Sequence, residues 1–175
     1  MVGKLQSLAN VAILLVAGLI GLQAYRRAAT NVATPSELKP GTHLTLAGVD
    51  WHDHARTLLL VLSPQCHFCS ESAPLYRRLT EDPVLAKHFH FIAVLPSRID
   101  DSRHYLNALR VTIGEIRQFD FASWRVPGTP TLILVDSDGK VVRSWVGKLN
   151  ADGEEALIAD LNRSSNSQPL NSADF

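Results

Sequence analysis

One stretch, residues 57–74, constrains the fold of this chain most, because it joins an uninterrupted apolar run to the chain's only two cysteines. Residues 58–62 are all Leu or Val, a short branched run that is typical of a strand buried on both faces. A Ser-Pro-Gln segment then breaks the strand, and a helix-like pattern continues beyond Cys69. The sequence therefore predicts that Cys66 and Cys69 lie where a buried strand is followed by a helix.

That position predicts redox chemistry for the two cysteines. The free backbone N–H groups and the positive dipole at a helix start favour a thiolate at Cys66. In such CxxC sites the first cysteine has a pKa of roughly 3.5–7.5, against about 8.5 for a free cysteine. The two-residue spacing lets the Cys69 sulfur reach Cys66, so the pair can alternate between dithiol and disulfide. We expect Cys66 to be the nucleophile and Cys69 the resolving thiol.

Two other interpretations of the pair are weaker. A structural disulfide between Cys66 and Cys69 would restrict the unfolded chain little, because the loop is very short. A zinc site usually needs four ligands, and neither a second cysteine pair nor a histidine pair at finger spacing follows. His52 and His54 could share one face of a strand, but no third ligand is evident, so we expect a solvated loop there. No metal and no cofactor is predicted.

The N-terminal segment, residues 1–27, is predicted to be a single membrane anchor. As a helix, residues 5–25 would span about 31 Å, enough for a bilayer core. Two alternatives stay open: a signal peptide with a weak cleavage site before Tyr25, and a buried helix of a soluble domain. Basic residues flank the segment on both sides, so the charge rule does not fix its orientation.

The remaining chain divides by composition into three parts. Residues 28–41 form a linker of small and polar residues with two prolines, residues 42–163 form one domain, and residues 164–175 form a polar tail that we expect to be disordered. Lys and Arg together number 17, as do Asp and Glu. This balance argues against a nucleic-acid partner, which would require a basic surface.

Within that domain, apolar strands alternate with helical patterns. Pro74 falls inside the helix after the cysteines and should kink it. The other predicted elements are a half-buried strand at 42–46, a strand at 89–95, a helix from Asp100 through Leu109, a short strand near Phe119, a strand at 131–135, a turn at 136–139, a return strand at 140–146 and an amphipathic helix from Asp152.

Four of these features together resemble thioredoxin-like thiol–disulfide oxidoreductases, and most closely the membrane-anchored TlpA/ResA-like branch. They are the strand–CxxC–helix unit, Pro74 at the kink, the Thr129-Pro130 segment within residues 124–130, and the Asp-x-Asp-Gly turn that follows. The resemblance covers residues 38–161. It implies an α/β, thioredoxin-like fold with a central mixed sheet flanked by helices, together with an N-terminal transmembrane helix.

The resemblance also implies the partner-binding residues. In the family the proline is cis and lies against the CxxC motif, so we expect a cis Thr129–Pro130 bond that faces Cys66. Thr129 and Pro130 are then expected to hold a partner's backbone. Within the motif, His67 and Phe68 are also expected to contact the partner, and two orientations of His67 stay open, toward the Cys66 thiolate or toward solvent.

Three positions depart from the family pattern. Gln65 replaces the usual Trp before the first cysteine, and Leu60 stands where thioredoxins bury an acidic residue. Ser72 stands where ResA-like proteins carry Glu, with Glu71 one place away. These departures leave the proton acceptor for Cys69 unassigned.

The sequence thus predicts a monomeric thiol–disulfide oxidoreductase that acts on protein thiols and disulfides. The family analogy suggests cytochrome c maturation, while the direction of electron flow stays open. One alternative is a peroxiredoxin-like peroxidase, from the Ser63-x-x-Cys66 spacing. Another is a copper chaperone that uses both cysteines, with a distal histidine from the set His88, His90 and His104.

We expect the redox domain to face the periplasm, held by a single span in a bacterial inner membrane. Protein disulfides persist outside the cytoplasm, which is where a tethered dithiol can act on them. Arg26 and Arg27 oppose this orientation, because basic residues favour the cytoplasmic side.

Overall fold

The computed structural model describes residues 38–124 and 126–166. The predicted membrane anchor, most of the linker and most of the predicted tail lie outside the described residues. Within the described ranges no helix is long and apolar enough to cross a membrane. The described residues form one mixed sheet with helices packed against it, which confirms the predicted fold class.

The sheet has five strands in the order β3-β2-β1-β4-β5. The strand β1 pairs in parallel with β2 and antiparallel with β4; β2 pairs in parallel with β3, and β4 antiparallel with β5. The strands are β1 Arg56–Val61, β2 His90–Leu95, β3 Glu115–Gln118, β4 Thr131–Asp136 and β5 Val141–Val146. The helices are α1 His67–Glu71, α2 Ala73–Glu81, α3 Pro83–His88, α4 Ile99–Ala108 and α5 Ala151–Asn166.

The central position of β1 explains its apolar sequence. Residues 58–62 are fully buried, and successive side chains point to opposite faces of the sheet. Leu58, Leu60 and Leu62 belong to the core that includes Cys69 and the helix residues, whereas Leu59 and Val61 belong to the core on the other face. Burying one such side chain stabilises the fold by about 1.5–3 kcal/mol. The strand that carries the cysteines at its end is therefore the best-anchored part of the sheet.

The helix after the cysteines is interrupted, as Pro74 predicts. The helix α1 ends at Glu71, and α2 begins at Ala73 with Pro74 in its first turn. In a continuous helix the residue at position 74 would donate its N–H to the Ser70 carbonyl, but proline has no N–H. The Ser72 N–H points to the Ser70 carbonyl instead. The break at Ser72 lets the two short helices adopt different directions beside the cysteines.

One predicted strand differs from the fold. Residues 42–46 form no strand; His43 makes a single bridge to Lys140, although Leu44 and Leu46 are buried as expected. The hydrogen bonds of this segment reach only the turn and the first residue of β5: the Leu44 N–H donates to the Gly139 carbonyl, and the Val141 N–H donates to the Thr42 carbonyl. The chain then turns away at Gly48, whose φ of +75° favours glycine.

One helix and two helix boundaries also differ from the predicted ones. The helix α3 was not predicted, although Asp82 caps it by accepting from the N–H groups of Val84 and Leu85. The helix α4 begins at Ile99, so Asp100 lies in its first turn. The helix α5 extends to Asn166, past the position where we placed the start of the tail.

Candidate active site

The two cysteines lie at the carboxyl end of β1, where the sequence predicts them. Cys66 is the N-cap of α1 and keeps an extended backbone, which holds its side chain at the start of the helix. Cys69 lies one turn further on and is fully buried. Both are free thiols. The half-buried Cys66 is thus open to a partner, while Cys69 is enclosed beneath it.

The segment before β4 completes the site. The Thr129–Pro130 bond is cis, as predicted, and the Cys66 thiol donates to the Thr129 carbonyl over 3.0 Å. Pairing of Val61 with Thr131 brings this segment to the end of β1. The Thr131 hydroxyl donates to the Gly128 carbonyl over 2.7 Å and so holds the loop in place. The loop therefore lies directly against the exposed sulfur.

Opposing influences set the pKa of Cys66. Burial raises it, and hydrogen bonds from the Thr129 side chain, the Cys69 thiol and the first backbone N–H groups of α1 lower it more, so the pKa lies below its ordinary value. The contact with the Thr129 carbonyl favours the thiol, since a carbonyl can only accept. Cys66 is therefore the thiol that ionises first.

Burial dominates at Cys69 and raises the pKa of its thiol to about 12. The hydrogen bond from the Ser63 backbone is the next largest influence and lowers the pKa, as the Thr129 side chain also does, while Cys66 raises it through a hydrogen bond and through its charge. At neutral pH Cys69 is a protonated thiol. Two sulfurs three residues apart thus differ in the pH at which they react.

The rim of the site carries an exposed aromatic side chain, Phe68, and a row of three linked polar side chains, His67, Glu71 and Lys148. Phe68 is 55% exposed, which is unusual for a phenylalanine beside a buried cysteine. The His67 side chain is 80% exposed, and its Nε2 lies 2.9 Å from a carboxylate oxygen of Glu71. The Cys66 sulfur bonds instead to the Thr129 carbonyl. Lys148 donates to the other Glu71 oxygen over 2.8 Å, and this bond is the main reason that the pKa of Glu71 is lowered.

No carboxylate replaces the missing acid beside Cys69. Leu60 is fully buried within the apolar core, and the Ser72 hydroxyl donates to the Phe68 carbonyl over 2.8 Å. Glu71 lies on the surface in the ion pairs with His67 and Lys148. Among these three residues, none therefore brings a carboxylate to the inner cysteine.

Sequence reasoning missed Tyr76, which packs in the same core cluster as Cys69. Its side chain is buried, and its hydroxyl has no hydrogen-bond partner in the part of the chain that the structure describes. Tyr76 follows Cys69 by seven residues, a spacing that would place both on one face only in a continuous helix, whereas here the helix is interrupted at Ser72. That spacing was the only signal in the sequence, and it does not reveal whether the hydroxyl has a partner.

The histidines considered as distal copper ligands do not all approach the cysteines. His90 begins β2 level with Thr57, about 13 Å of strand away from the end of β1. There it stacks on His54 and lies 2.7 Å from Glu115. His88 bonds to the Val84 carbonyl, and His104 lies exposed on α4. Among the described residues no group of three or more His, Cys, Asp or Glu residues is arranged to hold a metal.

Comparison with known proteins agrees with this architecture. The family described as a thioredoxin-like domain matches residues 52–162, well over half of the chain. Among curated proteins, none matches the sequence.

Several solved structures have the same fold. A Chlorobium tepidum protein described as the thiol:disulfide interchange protein DsbE is 22% identical, with a TM-score of 0.55 over 75% of this chain and 99% of that one. StoA from Bacillus subtilis is 13% identical, with a TM-score of 0.52 over 74% and 98% of the two chains. A thiol:disulfide interchange protein from a Bacteroides species is 20% identical, with a TM-score of 0.52 over 74% and 91%.

The chain belongs to the family of thioredoxin-like domains. Its adjacent cysteines, at the position where the fold carries a redox pair, make it a thiol–disulfide oxidoreductase.

Proposed function

We propose that the protein exchanges disulfides with other proteins through Cys66 as nucleophile and Cys69 as resolving thiol. The observation that carries this assignment is the opposite environment of the two sulfurs. Cys66 is accessible and its pKa is lowered, whereas Cys69 is buried and its pKa is raised. An accessible thiolate with a protected second thiol is the arrangement that a two-step exchange needs.

In the reducing direction, the Cys66 thiolate attacks one sulfur of a partner disulfide. A mixed disulfide forms and the partner's other sulfur leaves as a thiolate. Cys69 then loses its proton and attacks the Cys66 sulfur, which forms the Cys66–Cys69 disulfide and releases the second partner sulfur. Two electrons pass from the protein to the partner, and the oxidising direction is the reverse.

The surface around Cys66 supports a protein rather than a small molecule as partner. Phe68 offers an exposed apolar ring next to the nucleophile, and the loop of Thr129 and Pro130 presents backbone groups beside it. An extended segment of a partner can pair with such exposed backbone. We place the partner's disulfide between Phe68 and this loop.

The test is trapping of mixed disulfides. Cys69→Ser should accumulate a covalent complex with a disulfide-containing substrate such as insulin, because the resolving attack is lost. Cys66→Ser, the matched control, should accumulate none. Equal trapping by both variants, or first alkylation of Cys69 at mildly acid pH, would reverse the assignment.

We further propose that the substrate is a cysteine pair of an apocytochrome c and that the protein acts as a monomer. The support is the resemblance to the ResA-like branch. Reduction of a disulfide-bonded CxxCH peptide should proceed several-fold faster than reduction of a scrambled peptide with the same two cysteines. Equal rates for the two peptides would remove this substrate.

We also propose that residues 1–27 tether the redox domain to a bacterial inner membrane, on the periplasmic side. The support is chemical, because substrate disulfides persist outside the cytoplasm. A phosphatase fused after Phe175 should be active in cells. An inactive phosphatase fusion together with an active cytosolic reporter at the same site would place the domain in the cytoplasm.

A further inference from the structure

We propose that Tyr76 is a positioning residue for the resolving step, with a hydroxyl that donates a hydrogen bond to the Cys69 sulfur as that sulfur becomes a thiolate. The inference rests on the proposed function, because it concerns the second half of the same exchange.

The resolving step presents a specific difficulty in this protein. Cys69 must ionise in an apolar surrounding, where an unpaired charge is strongly disfavoured. The two positions that carry an acid in related proteins hold Leu60, which is fully buried, and Ser72, which already donates to the Phe68 carbonyl. The Ser63 backbone and the Thr129 side chain lower the pKa of Cys69, but burial outweighs them and holds it at about 12, so a further donor to the thiolate would ease the resolving step.

Tyr76 is placed to be that donor. It lies in the same core cluster as Cys69, whose charge acts on it, and its side chain leans toward the N-terminus of α2, the end at which α1 and Cys69 lie. The residue is only 1% exposed. Leu75 and Leu79, its neighbours on α2, are also buried in this cluster.

The hydroxyl of Tyr76 lies close enough to the Ser72 hydroxyl for that group to lower its pKa, but the Ser72 proton is donated to the Phe68 carbonyl. The Tyr76 hydroxyl has no hydrogen-bond partner among the residues that the structure describes. Buried hydroxyls are nearly always bonded, because an unpaired one destabilises the fold. A phenylalanine would fill the same space without this cost, so the oxygen is best explained by a partner that appears only during the reaction.

The electrostatics fix the role as donor and exclude the role of base. Burial raises the pKa of Tyr76 far above its ordinary value, and the charge of Cys69 raises it further. The phenol therefore stays protonated while Cys69 ionises. The proton that Cys69 loses passes to the departing partner sulfur when that sulfur is basic, or to solvent when it leaves as a thiolate, and Tyr76 keeps its own proton throughout.

A second tyrosine provides a matched control. Tyr105 on α4 is also influenced by both cysteines, but it is only half-buried and its hydroxyl lies 3.4 Å from the Ser70 hydroxyl. Tyr105→Phe thus removes a phenol oxygen near the site that already has a partner, whereas Tyr76→Phe removes one that has none.

The experiment is a stopped-flow reaction of the reduced protein with 5,5′-dithiobis(2-nitrobenzoate). Attack by Cys66 releases one coloured thiolate, and attack by Cys69 on the resulting mixed disulfide releases the second. We expect Tyr76→Phe to leave the first phase unchanged and to slow the second about tenfold, the effect of one hydrogen bond to a charged group. The rise of the second phase with pH should shift upward by about one unit.

Tyr105→Phe should leave both phases within about twofold of the parent. Thermal unfolding should show Tyr76→Phe to be as stable as the parent or more stable, since an unpaired buried hydroxyl is removed. An unchanged second phase and pH profile in Tyr76→Phe would overturn the inference, as would an equal slowing in Tyr105→Phe. If the parent protein releases no second thiolate, the proposed function fails instead.

Discussion

The outer and inner regions of the redox site have opposite physical character, although they share one five-residue helix. The outer region, Cys66, His67, Phe68, Glu71 and Lys148, is reached by solvent and its charged groups are paired. The inner region, Leu60, Cys69, Ser72 and Tyr76, is closed to solvent and holds no charged side chain. Reactivity at Cys66 therefore comes from hydrogen bonds, and the inertness of Cys69 comes from the exclusion of water.

The difference teaches how one short motif produces two thiols of unlike chemistry. The step from Cys66 to Cys69 is a single turn of α1, and that turn passes from the surface to the core. The fold needs no charged group to separate the two pKa values, because burial alone accounts for most of the rise at Cys69.

The largest effect on the free energy of unfolding is expected from introducing an aspartate into each region in turn. Leu60→Asp should destabilise the protein by at least about 3 kcal/mol, because an unpaired carboxylate would be buried. Phe68→Asp should change stability by no more than about 0.5 kcal/mol, because the side chain is exposed. Urea unfolding of both variants measures the contrast, and similar losses in the two would contradict the division into regions.

An intermediate effect is expected from alkaline pH. The folded-state pKa of Cys69 is raised to about 12, above the unfolded value of about 8.5, so its stabilising contribution is complete below the unfolded value and is lost as pH rises. The reduced protein should lose about 2 kcal/mol by about pH 10. The pKa of Cys66 is lowered, so its contribution is already constant in that range.

Unfolding of reduced and oxidised protein across this pH range measures the loss. The oxidised protein should not show this loss of stability, because a disulfide has no thiol to titrate. The reduced Cys69→Ala variant should not show it either. A loss of equal size in the oxidised protein would assign the effect to another group.

The smallest effect is expected in the outer region. Glu71→Gln removes the ion pairs with His67 and Lys148 and should change stability by less than about 1 kcal/mol, since exposed pairs contribute little. Glu155→Gln, which removes the exposed pair with Arg78, is the control. A Glu71→Gln loss several times that of the control, measured in low and high salt, would show that the outer network supports the helix.

Local sequence signals predicted most of what positions the nucleophile. The apolar run of β1, the cysteine spacing and Pro74 each act over a few residues, and the structure has all three as expected. The cis bond at Pro130 was predicted from the family resemblance and is present. Asp82 before Pro83 was a readable signal for α3 that we did not use.

Features that depend on distant contacts were not predictable. The alternation at 42–46 is typical of a strand, yet the segment forms only one bridge, at His43, and a few hydrogen bonds to residues 139–141, because its pairing depends on where the hairpin lies. The exposed orientation of His67 depends on Glu71. The unpaired hydroxyl of Tyr76 depends on every side chain around it, so no local pattern marks it.

The contact between Cys66 and Thr129 has a consequence for the newly made protein. The two residues are separated by 63 positions in the chain, so Cys66 leaves the ribosome well before its partner loop exists. At a synthesis rate of about 5–20 residues per second, that interval lasts roughly 3–13 seconds. During this time Cys66 lacks the Thr129 contacts that help to set its reactivity. Cys66 therefore reaches its native environment, and with it its native reactivity, only when β4 pairs with β1.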